Sequence, residues 1–175
     1  GGVRLKFVGE TPHQSGVAKG TDAPTTMKVN HTMRIISIAT SRKKGTRKTC
    51  VGEALLIDDH GLDGDAHAGP GDRQVCFLAA ESIEKARSAG LDVTFGDFAE
   101  NIATEGIDWL NMPVGTVLQL GSEALVGITR IGKECHKKCA IYYQAGDCIM
   151  PREGVFARVL KGGLIRRGDT VTVLL

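Results

Sequence analysis

Long hydrophobic runs are missing from this sequence of 175 residues. No apolar stretch approaches the roughly 20 residues that a membrane-spanning helix needs, and no charged and then apolar leader with a cleavage site opens the chain. The net charge of +2 is too small to indicate nucleic-acid binding. We therefore expect a cytoplasmic protein with neither a membrane nor a nucleic acid as its partner.

The cysteines do not form an even set, because the chain contains five of them. Thiols in a reducing cytosol are more often catalytic, metal-binding or buried than joined in disulfides. A disulfide framework is thus the least favoured interpretation. A chain of this length also buries a sufficient core without disulfides or metal ions.

Glycine is abundant, with 23 residues, and the tight turns that it allows favour a strand-rich fold over a helical bundle. Short apolar or alternating segments between these glycines predict strands at 33–40, 53–57, 74–79, 100–104, 116–121, 124–132 and 169–175. A helix is predicted at 81–90, a second through 137–146, and VFARVL at 155–160 fits a helix or a strand. We expect a mainly β domain with two or three short helices, forming a closed or partly closed β-barrel because closure removes exposed edges.

Two segments stand apart from this core pattern. Residues 1–32 are rich in Gly, Thr, Pro and Ser and show no sustained apolar period, so they are interpreted as a flexible tail or linker before a domain at 33–175. The run SRKKGTRKT at 41–49 holds five basic residues. Such a run is usually a solvated loop, although an anion site is an alternative.

The stretch GKECHKKCAIYYQAGDC at 132–148 carries three cysteines, a histidine and three lysines. Cations around a sulfur atom raise the population of its nucleophilic thiolate, and Lys133, His136 and two further lysines surround Cys135. The alternative is a zinc or redox module built on Cys135, Cys139 and Cys148, whose first gap suits a zinc ligand pair. His136 directly follows Cys135, which makes tetrahedral binding by both awkward, so no structural metal is expected.

Two further clusters combine glycine with polar side chains. In GLDGDAHAGPGDRQV at 61–75, Asp65, His67 and Arg73 lie among glycines that allow the backbone to approach a ligand. Asp65 and His67 would face the same side of an extended segment, where metal ligation and a locally satisfied turn are both open interpretations. In GDFAENIATEG at 96–106, Glu100 and Asn101 are placed at the start of a strand, where they could line a pocket or close the turn.

Four segments in this order resemble the MOSC domain, named for the C-terminal domain of molybdenum-cofactor sulfurase, in its small stand-alone bacterial form. They are GLDGDAHAG with RQV, GDFAENIATEGID with PVGT, GITRIGKECHKKC, and REGVFARVLKGG with RRGDTV. The resemblance covers about residues 33–175. In addition, GGVRLKFVGETPHQSG at the start weakly resembles the end of cyclic pyranopterin monophosphate synthase, as expected for the remnant of an upstream cofactor-biosynthesis domain.

The MOSC resemblance implies a β-barrel that binds molybdenum cofactor (molybdopterin) or a precursor, or that carries sulfur as a cysteine persulfide. The family is also associated with pyridoxal phosphate. Cys135 matches the family position that can ligate molybdenum, while Cys139 and Cys148 are candidates to discharge a persulfide as a disulfide. The implied pocket residues are Asp65, His67, Arg73, Glu100, Asn101, Lys133 and Arg152. Expected partners are a sulfur donor such as a cysteine desulfurase and an acceptor metalloenzyme.

Overall fold

The computed structural model describes residues 32–132, 140–146 and 148–174. Eleven strands occur in these ranges: β1 Arg34–Thr40, β2 Thr49–Val51, β3 Glu53–Ile57, β4 Gly61–Leu62, β5 Val75–Ala79, β6 Ile102–Glu105, β7 Val117–Leu120, β8 Ala124–Ile131, β9 Val155–Lys161, β10 Gly163–Arg166 and β11 Val171–Leu174. The α-helices there are α1 Ala80–Ser88, α2 Ala140–Ala145 and α3 Met150–Glu153, with a short 3-10 helix at Trp109–Asn111. The predicted mainly β class is confirmed.

The described strands form two sheets. One has eight strands in the order β11-β7-β8-β9-β5-β6-β1-β2, and the other has three in the order β10-β3-β4. Neither sheet closes on itself within the described ranges, so the predicted closed or partly closed barrel is not confirmed. A single bridge between Arg34 and Thr170 links the first sheet's β1 to the residue before β11. Three backbone hydrogen bonds join the same two segments, because Ile35 donates to the Asp169 carbonyl, Gly168 to that of Ile35 and Val171 to that of Met33.

The pairing of β5 with β6 is parallel, whereas the other strand pairs are antiparallel. Parallel neighbours need a crossover connection, and α1 lies in this one. Ile83 and Ala86 form its buried face, as the sequence predicts, and the amide of Gly90 bonds the Arg87 carbonyl just beyond the helix end. This crossover connects the end of β5 to the segment that leads into β6.

Two apolar clusters form the core. The larger one lies between the strands and includes Ile35, Phe77, Leu118 and Val159, all at most 1% exposed. The smaller one packs α1 and the segment around α3 against the other face of β5, where it includes Ile83, Met150 and the buried side chains of Cys76 and Cys148. The side chains of β5 therefore alternate between the two clusters.

Most predicted elements are present with shifted ends. VFARVL lies in strand β9, which resolves that ambiguity, and β6 begins at Ile102, so Glu100 and Asn101 precede the strand instead of starting it. The sequence did not predict β2, β4, β10 or α3, all of which have four residues or fewer. The expected tail, with its resemblance to a second enzyme, lies outside the described residues apart from Thr32. None of the helices in the described ranges is long and apolar enough to cross a membrane.

Candidate functional site

A cavity of about 300 Å³ opens among the loops that surround the start of β5 and β6. We call it the loop cavity, and its lining residues are Lys44, His67, Arg73, Cys76, Ala99, Asn101, Met150 and Phe156. Its volume lies at the lower end of the range for small-molecule sites. Two basic side chains and an imidazole lie on its wall, a composition that suits an anionic ligand.

The sheet fixes one side of the loop cavity. Cys76 on β5 pairs with Phe156 on β9, and the guanidinium of Arg73 lies 6.0 Å from the centre of the Phe156 ring. A guanidinium over an aromatic face gains a cation–π attraction without losing its hydrogen-bond donors. Arg73 is therefore held at the cavity wall, where its Nε also lies 3.9 Å from Oδ1 of Asp72, an exposed carboxylate.

A buried ion pair lies behind the opposite wall. The ammonium of Lys48 donates to both carboxylate oxygens of Asp65, at 2.6 and 2.8 Å, and the two side chains are 1% and 0% exposed. The same carboxylate accepts the backbone amides of Ser41 at 2.9 Å and His67 at 3.0 Å. Nδ1 of His67 lies 3.6 Å from the Asp65 carboxylate, and the His67 side chain is 38% exposed.

These contacts keep the Asp65 carboxylate ionised. Burial alone raises the pKa of Asp65, but hydrogen bonds with His67, Lys48 and Ser41 and the charge of Lys48 outweigh burial and hold that pKa well below its ordinary value. Asp65 thus has no free face toward a ligand. Of the two interpretations left open for Asp65 and His67, the contacts favour the locally satisfied turn over metal ligation, because Lys48 already occupies both carboxylate oxygens.

Asn101 and Glu100 are neighbours in sequence with different environments. The Asn101 side chain lines the loop cavity, accepts the Cys76 amide at 3.1 Å and donates to the Ala39 carbonyl at 3.3 Å, so it ties β5 to β1. Glu100 is 1% exposed and accepts the amide of Gly96, but its Oε2 has no hydrogen-bond partner. Burial is the main cause that raises the pKa of Glu100 to about 7, which favours the neutral acid.

A second cavity, of about 280 Å³, lies between the helices, and we call it the helix cavity. Its lining residues are Ser82, Lys85, Ala86, Ala89, Leu91, Phe98, Ile141, Cys148, Ile149, Arg152 and Glu153. Two of the predicted site residues, Cys148 and Arg152, belong to it and not to the loop cavity. The segments 98–101 and 148–153 contribute lining residues to both cavities.

The structure therefore divides the predicted site residues into groups. His67, Arg73 and Asn101 line the loop cavity, Asp65 supports it from behind, Glu100 is enclosed in the neighbouring turn, and Cys148 with Arg152 line the helix cavity. Cys135, Cys139 and Lys133, with His136, lie outside the described residues. Within the described ranges, no three His, Cys, Asp or Glu side chains form a group that could hold a metal ion.

Sequence reasoning missed three residues near the loop cavity. Lys44 lines it and Lys48 is buried beside it, although both belong to a basic run interpreted mainly as a solvated loop. Cys76 was interpreted as core filler, and it is buried but also faces the cavity. The anion-site alternative for the basic run was the one signal in the sequence that indicated Lys44.

The strand β8 leads toward the undescribed stretch that contains Cys135. The amide of Gly132, one residue beyond β8, donates to the carbonyl of Gly154 at 2.6 Å. A Cβ atom on Gly132 would lie 2.4 Å from the carbonyl oxygen of Pro151, and its φ is +74°, so only glycine suits this close approach. Gly132 consequently sits against α3, whose first residue, Met150, lines the loop cavity.

The MOSC domain family model matches residues 63–172. The chain belongs to the MOSC domain family. This match spans the loop with His67 and Arg73, the strand β8 and the segment around α3, and it confirms the resemblance found in the sequence. MOSC domains are associated as a family with molybdenum cofactor.

Solved structures share the fold of this MOSC domain. YiiM from Geobacillus stearothermophilus has 22% identity and a TM-score of 0.63, with 82% of this chain and 75% of that chain covered. YiiM from Escherichia coli has 23% identity and a TM-score of 0.58, with 81% and 70% covered. The YUAD protein from Bacillus subtilis has 15% identity and a TM-score of 0.61, with 80% and 94% covered. No curated protein matches the chain.

Proposed function

We propose that this MOSC domain binds molybdenum cofactor or a precursor in the loop cavity, and that Cys135 supplies the thiol that ligates the metal or holds sulfur as a persulfide. The observation that supports this proposal best is the cavity of about 300 Å³ lined by Lys44, His67 and Arg73. The family association with molybdenum cofactor agrees with it.

The described residues fit the anionic end of the cofactor. Molybdopterin carries a phosphate, for which Arg73 and Lys44 provide charged donors and His67 a further polar group. Asn101 is committed to backbone contacts, so it shapes the wall and leaves recognition of the anion to the cations. When bound, the cofactor would supply a molybdenum ion held by dithiolene sulfur, which is a soft centre suited to a thiolate ligand.

The position of β8 supports a role for Cys135 beside this cavity. Cys135 follows Gly132 by three positions in the sequence, a connection that reaches at most about 11 Å when fully extended. Gly132 contacts Pro151 and Gly154, and Met150 and Phe156 on either side of them line the loop cavity. Gly132, from which the stretch with Cys135 continues, is therefore fixed beside the wall of the loop cavity.

In the sulfur-carrier form, the Cys135 thiolate attacks the terminal sulfur of a donor persulfide, such as that of a cysteine desulfurase. The new S–S bond forms on Cys135 as the donor's S–S bond breaks, and the donor leaves as a thiolate, so the transfer needs no external oxidant. A thiol on an acceptor protein can then take the terminal sulfur in the same way. Cys139 and Cys148 are the candidates to attack the inner sulfur of the Cys135 persulfide, which would form a disulfide and release the terminal sulfur as hydrosulfide.

Two loading measurements test this function. In the first, the reduced protein is incubated with a cysteine desulfurase and cysteine, and its intact mass and alkylated peptides are analysed. In the second, the protein is incubated with molybdenum cofactor released from a molybdoenzyme, and retained pterin is measured by fluorescence after oxidation. We expect one sulfur atom on Cys135 or retained pterin, and loss of either in Cys135→Ser. Loading that is unchanged in Cys135→Ser would contradict the proposed thiol.

A zinc or thiol redox module built on Cys135, Cys139 and Cys148 is the competing function. Cys148 lines the helix cavity, apart from the loop cavity and its cations. This alternative predicts bound zinc or a reversible disulfide in the purified protein. Metal analysis and thiol counting under mild oxidant decide it: a metal-free protein whose thiols react independently would exclude the module.

A further inference from the structure

This inference rests on the proposed function and concerns how the loop cavity keeps its shape. Three loops carry its polar lining: the basic loop at 41–48 holds Lys44, the loop at 63–74 holds His67 and Arg73, and the loop at 96–101 holds Asn101. Loops have no strand ladder of their own to fix them. Their relative positions must come from specific contacts between them.

The buried Lys48 and Asp65 pair joins two of these loops. Lys48 ends the basic loop and Asp65 lies two residues before His67, and their side chains meet with contacts of 2.6 and 2.8 Å. The Asp65 carboxylate also accepts the amide of Ser41, where the basic loop begins, while the Ser41 carbonyl accepts the Ala66 amide at 2.7 Å. Both ends of the basic loop are thereby attached to the loop that carries His67.

Lys48 also reaches the third loop through its backbone. Its amide donates to the carbonyl of Gly96 at 2.9 Å, and a Cβ atom on Gly96 would lie 2.4 Å from the Lys48 carbonyl oxygen. Gly96 has a φ of +89°, which glycine adopts without strain. The turn that follows Gly96 leads to Ala99 and Asn101 on the cavity wall.

We propose that Lys48 and Asp65 are positioning residues, which hold the three loops together so that Lys44 and His67 converge on the anion in the loop cavity. Neither of the two side chains reaches a ligand itself, because they are 1% and 0% exposed. Asp65 also faces Nδ1 of His67 from 3.6 Å. That contact favours a proton on Nδ1 and fixes the orientation of the imidazole ring at the cavity wall.

The double variant Lys48→Met with Asp65→Asn separates positioning from folding. It removes both buried charges together, and a buried ion pair replaced by neutral groups of similar size often costs little stability, whereas removal of one partner leaves an unpaired charge. The matched control is Arg166→Met with Glu53→Gln, which removes an exposed ion pair of 3.1 Å on the other sheet. Thermal unfolding of each variant is measured first.

Binding is then measured with two probes, inorganic phosphate and molybdenum cofactor released from a molybdoenzyme. We expect the Lys48 and Asp65 double variant to weaken binding about 10-fold to 100-fold, as second-layer substitutions do at ligand sites, and the control variant to bind like the wild type. Nitrogen NMR of His67 is expected to show the Nδ1–H tautomer in the wild type and its loss in the double variant.

A double-mutant cycle with Lys44→Met distinguishes positioning from a general loss of fold. Lys44→Met is expected to weaken phosphate binding in the wild type and to cost much less once Lys48 and Asp65 have been replaced, because Lys44 is then already displaced. If the double variant does not fold, two milder variants are compared. Lys48→Arg keeps the ion pair, and Ser41→Ala keeps the backbone amide that donates to Asp65. Both are expected to retain binding and the Nδ1–H form of His67. Loss of both properties in these two folded variants would overturn the inference.

The remaining outcomes separate the two proposals. A wild type that binds phosphate but not the cofactor would contradict the proposed function, and the positioning role would stand if the cycle shows coupling. A folded double variant that binds both probes as tightly as the wild type, with an unchanged His67 tautomer, would overturn the positioning role alone. A wild type that binds neither probe would overturn both proposals.

Discussion

The loop cavity and the helix cavity have similar volumes, about 300 and 280 Å³, but different walls. Polar groups from loops converge on the first, where a buried ion pair stands behind them. Side chains from helices, including Ala86 and Ile141, line much of the second. Segments 98–101 and 148–153 supply residues to both. The comparison teaches that one family segment, REGVFARVLKGG, can contribute to two cavities, because Arg152 lines the helix cavity and Phe156 lines the loop cavity.

The partition between the cavities depends on local backbone geometry. Phe98 lines the helix cavity and Ala99 lines the loop cavity, and Ala99 has a φ of +64°, in the left-handed region that few residues other than glycine adopt. This turn sends successive side chains to opposite sides. In the second shared segment, Met150 lines the loop cavity while Cys148 lines the helix cavity.

The largest expected effect comes from breaking the ion pair on one side only. Lys48→Met leaves the Asp65 charge buried without its partner, which should lower the free energy of unfolding by about 3 to 5 kcal/mol. Denaturant unfolding at neutral pH measures this change. Arg166→Met, which breaks an exposed pair, should cost less than about 1 kcal/mol. Equal losses in both variants would contradict a special role for the wall of the loop cavity.

An acid titration should measure how much the buried charge of Asp65 contributes to the stability of the fold. The pKa of Asp65 is lower in the folded chain than in the unfolded chain, so its contribution is fully present above about pH 4 and is lost as the pH falls below that value. We expect the wild type to lose more stability between pH 4 and pH 2 than the Lys48→Met and Asp65→Asn double variant does, by at most about 1.4 kcal/mol for each pH unit. Parallel acid unfolding curves for the two proteins would show that Asp65 does not make this contribution.

Glu100 lies in the segment 98–101, which lines both cavities, and it should give stability the opposite dependence on pH. Its pKa of about 7 lies above the ordinary carboxyl value, so folding favours its protonated form and stability falls as the pH rises from about 4.5 through 7. Glu100→Gln should remove this slope and stabilise the fold by about 1 to 3 kcal/mol at pH 8. Unfolding is followed from pH 5 to pH 8. Glu123→Gln, an exposed control, should leave the slope unchanged.

Particular residues show how far the sequence could predict this structure. Ile83, Ala86 and Gly90 correctly predicted α1, because helix periodicity and a terminal glycine are local signals. The burial of Lys48 was not predictable, since its partner Asp65 lies 17 positions away and the surrounding run is basic. The sequence predicted that Asp65 and His67 face the same side if their segment is extended. The segment forms a turn instead, in which the Asp65 amide donates to the Leu62 carbonyl. Of the two side chains, only His67 therefore lines the loop cavity.

The sequence predicted which segments carry site residues, but not which of these residues share a cavity. His67, Arg73 and Asn101 were identified by glycine-rich and polar segments, and they share one cavity. Cys148 and Arg152 were grouped with them, but the short α3 and the turn before it place both in the helix cavity. Helices of four residues give too little periodicity to be detected. Their effect on the site is therefore visible only in three dimensions.

The most direct test of the central claim is a titration of the wild type, Arg73→Met and Arg152→Met with molybdenum cofactor, with retained pterin as the measure. We predict that Arg73→Met weakens binding about 10-fold or more, because a charged donor to the phosphate is lost, while Arg152→Met binds like the wild type. Equal binding by Arg73→Met, together with a loss in Arg152→Met, would place the ligand in the helix cavity and contradict the account.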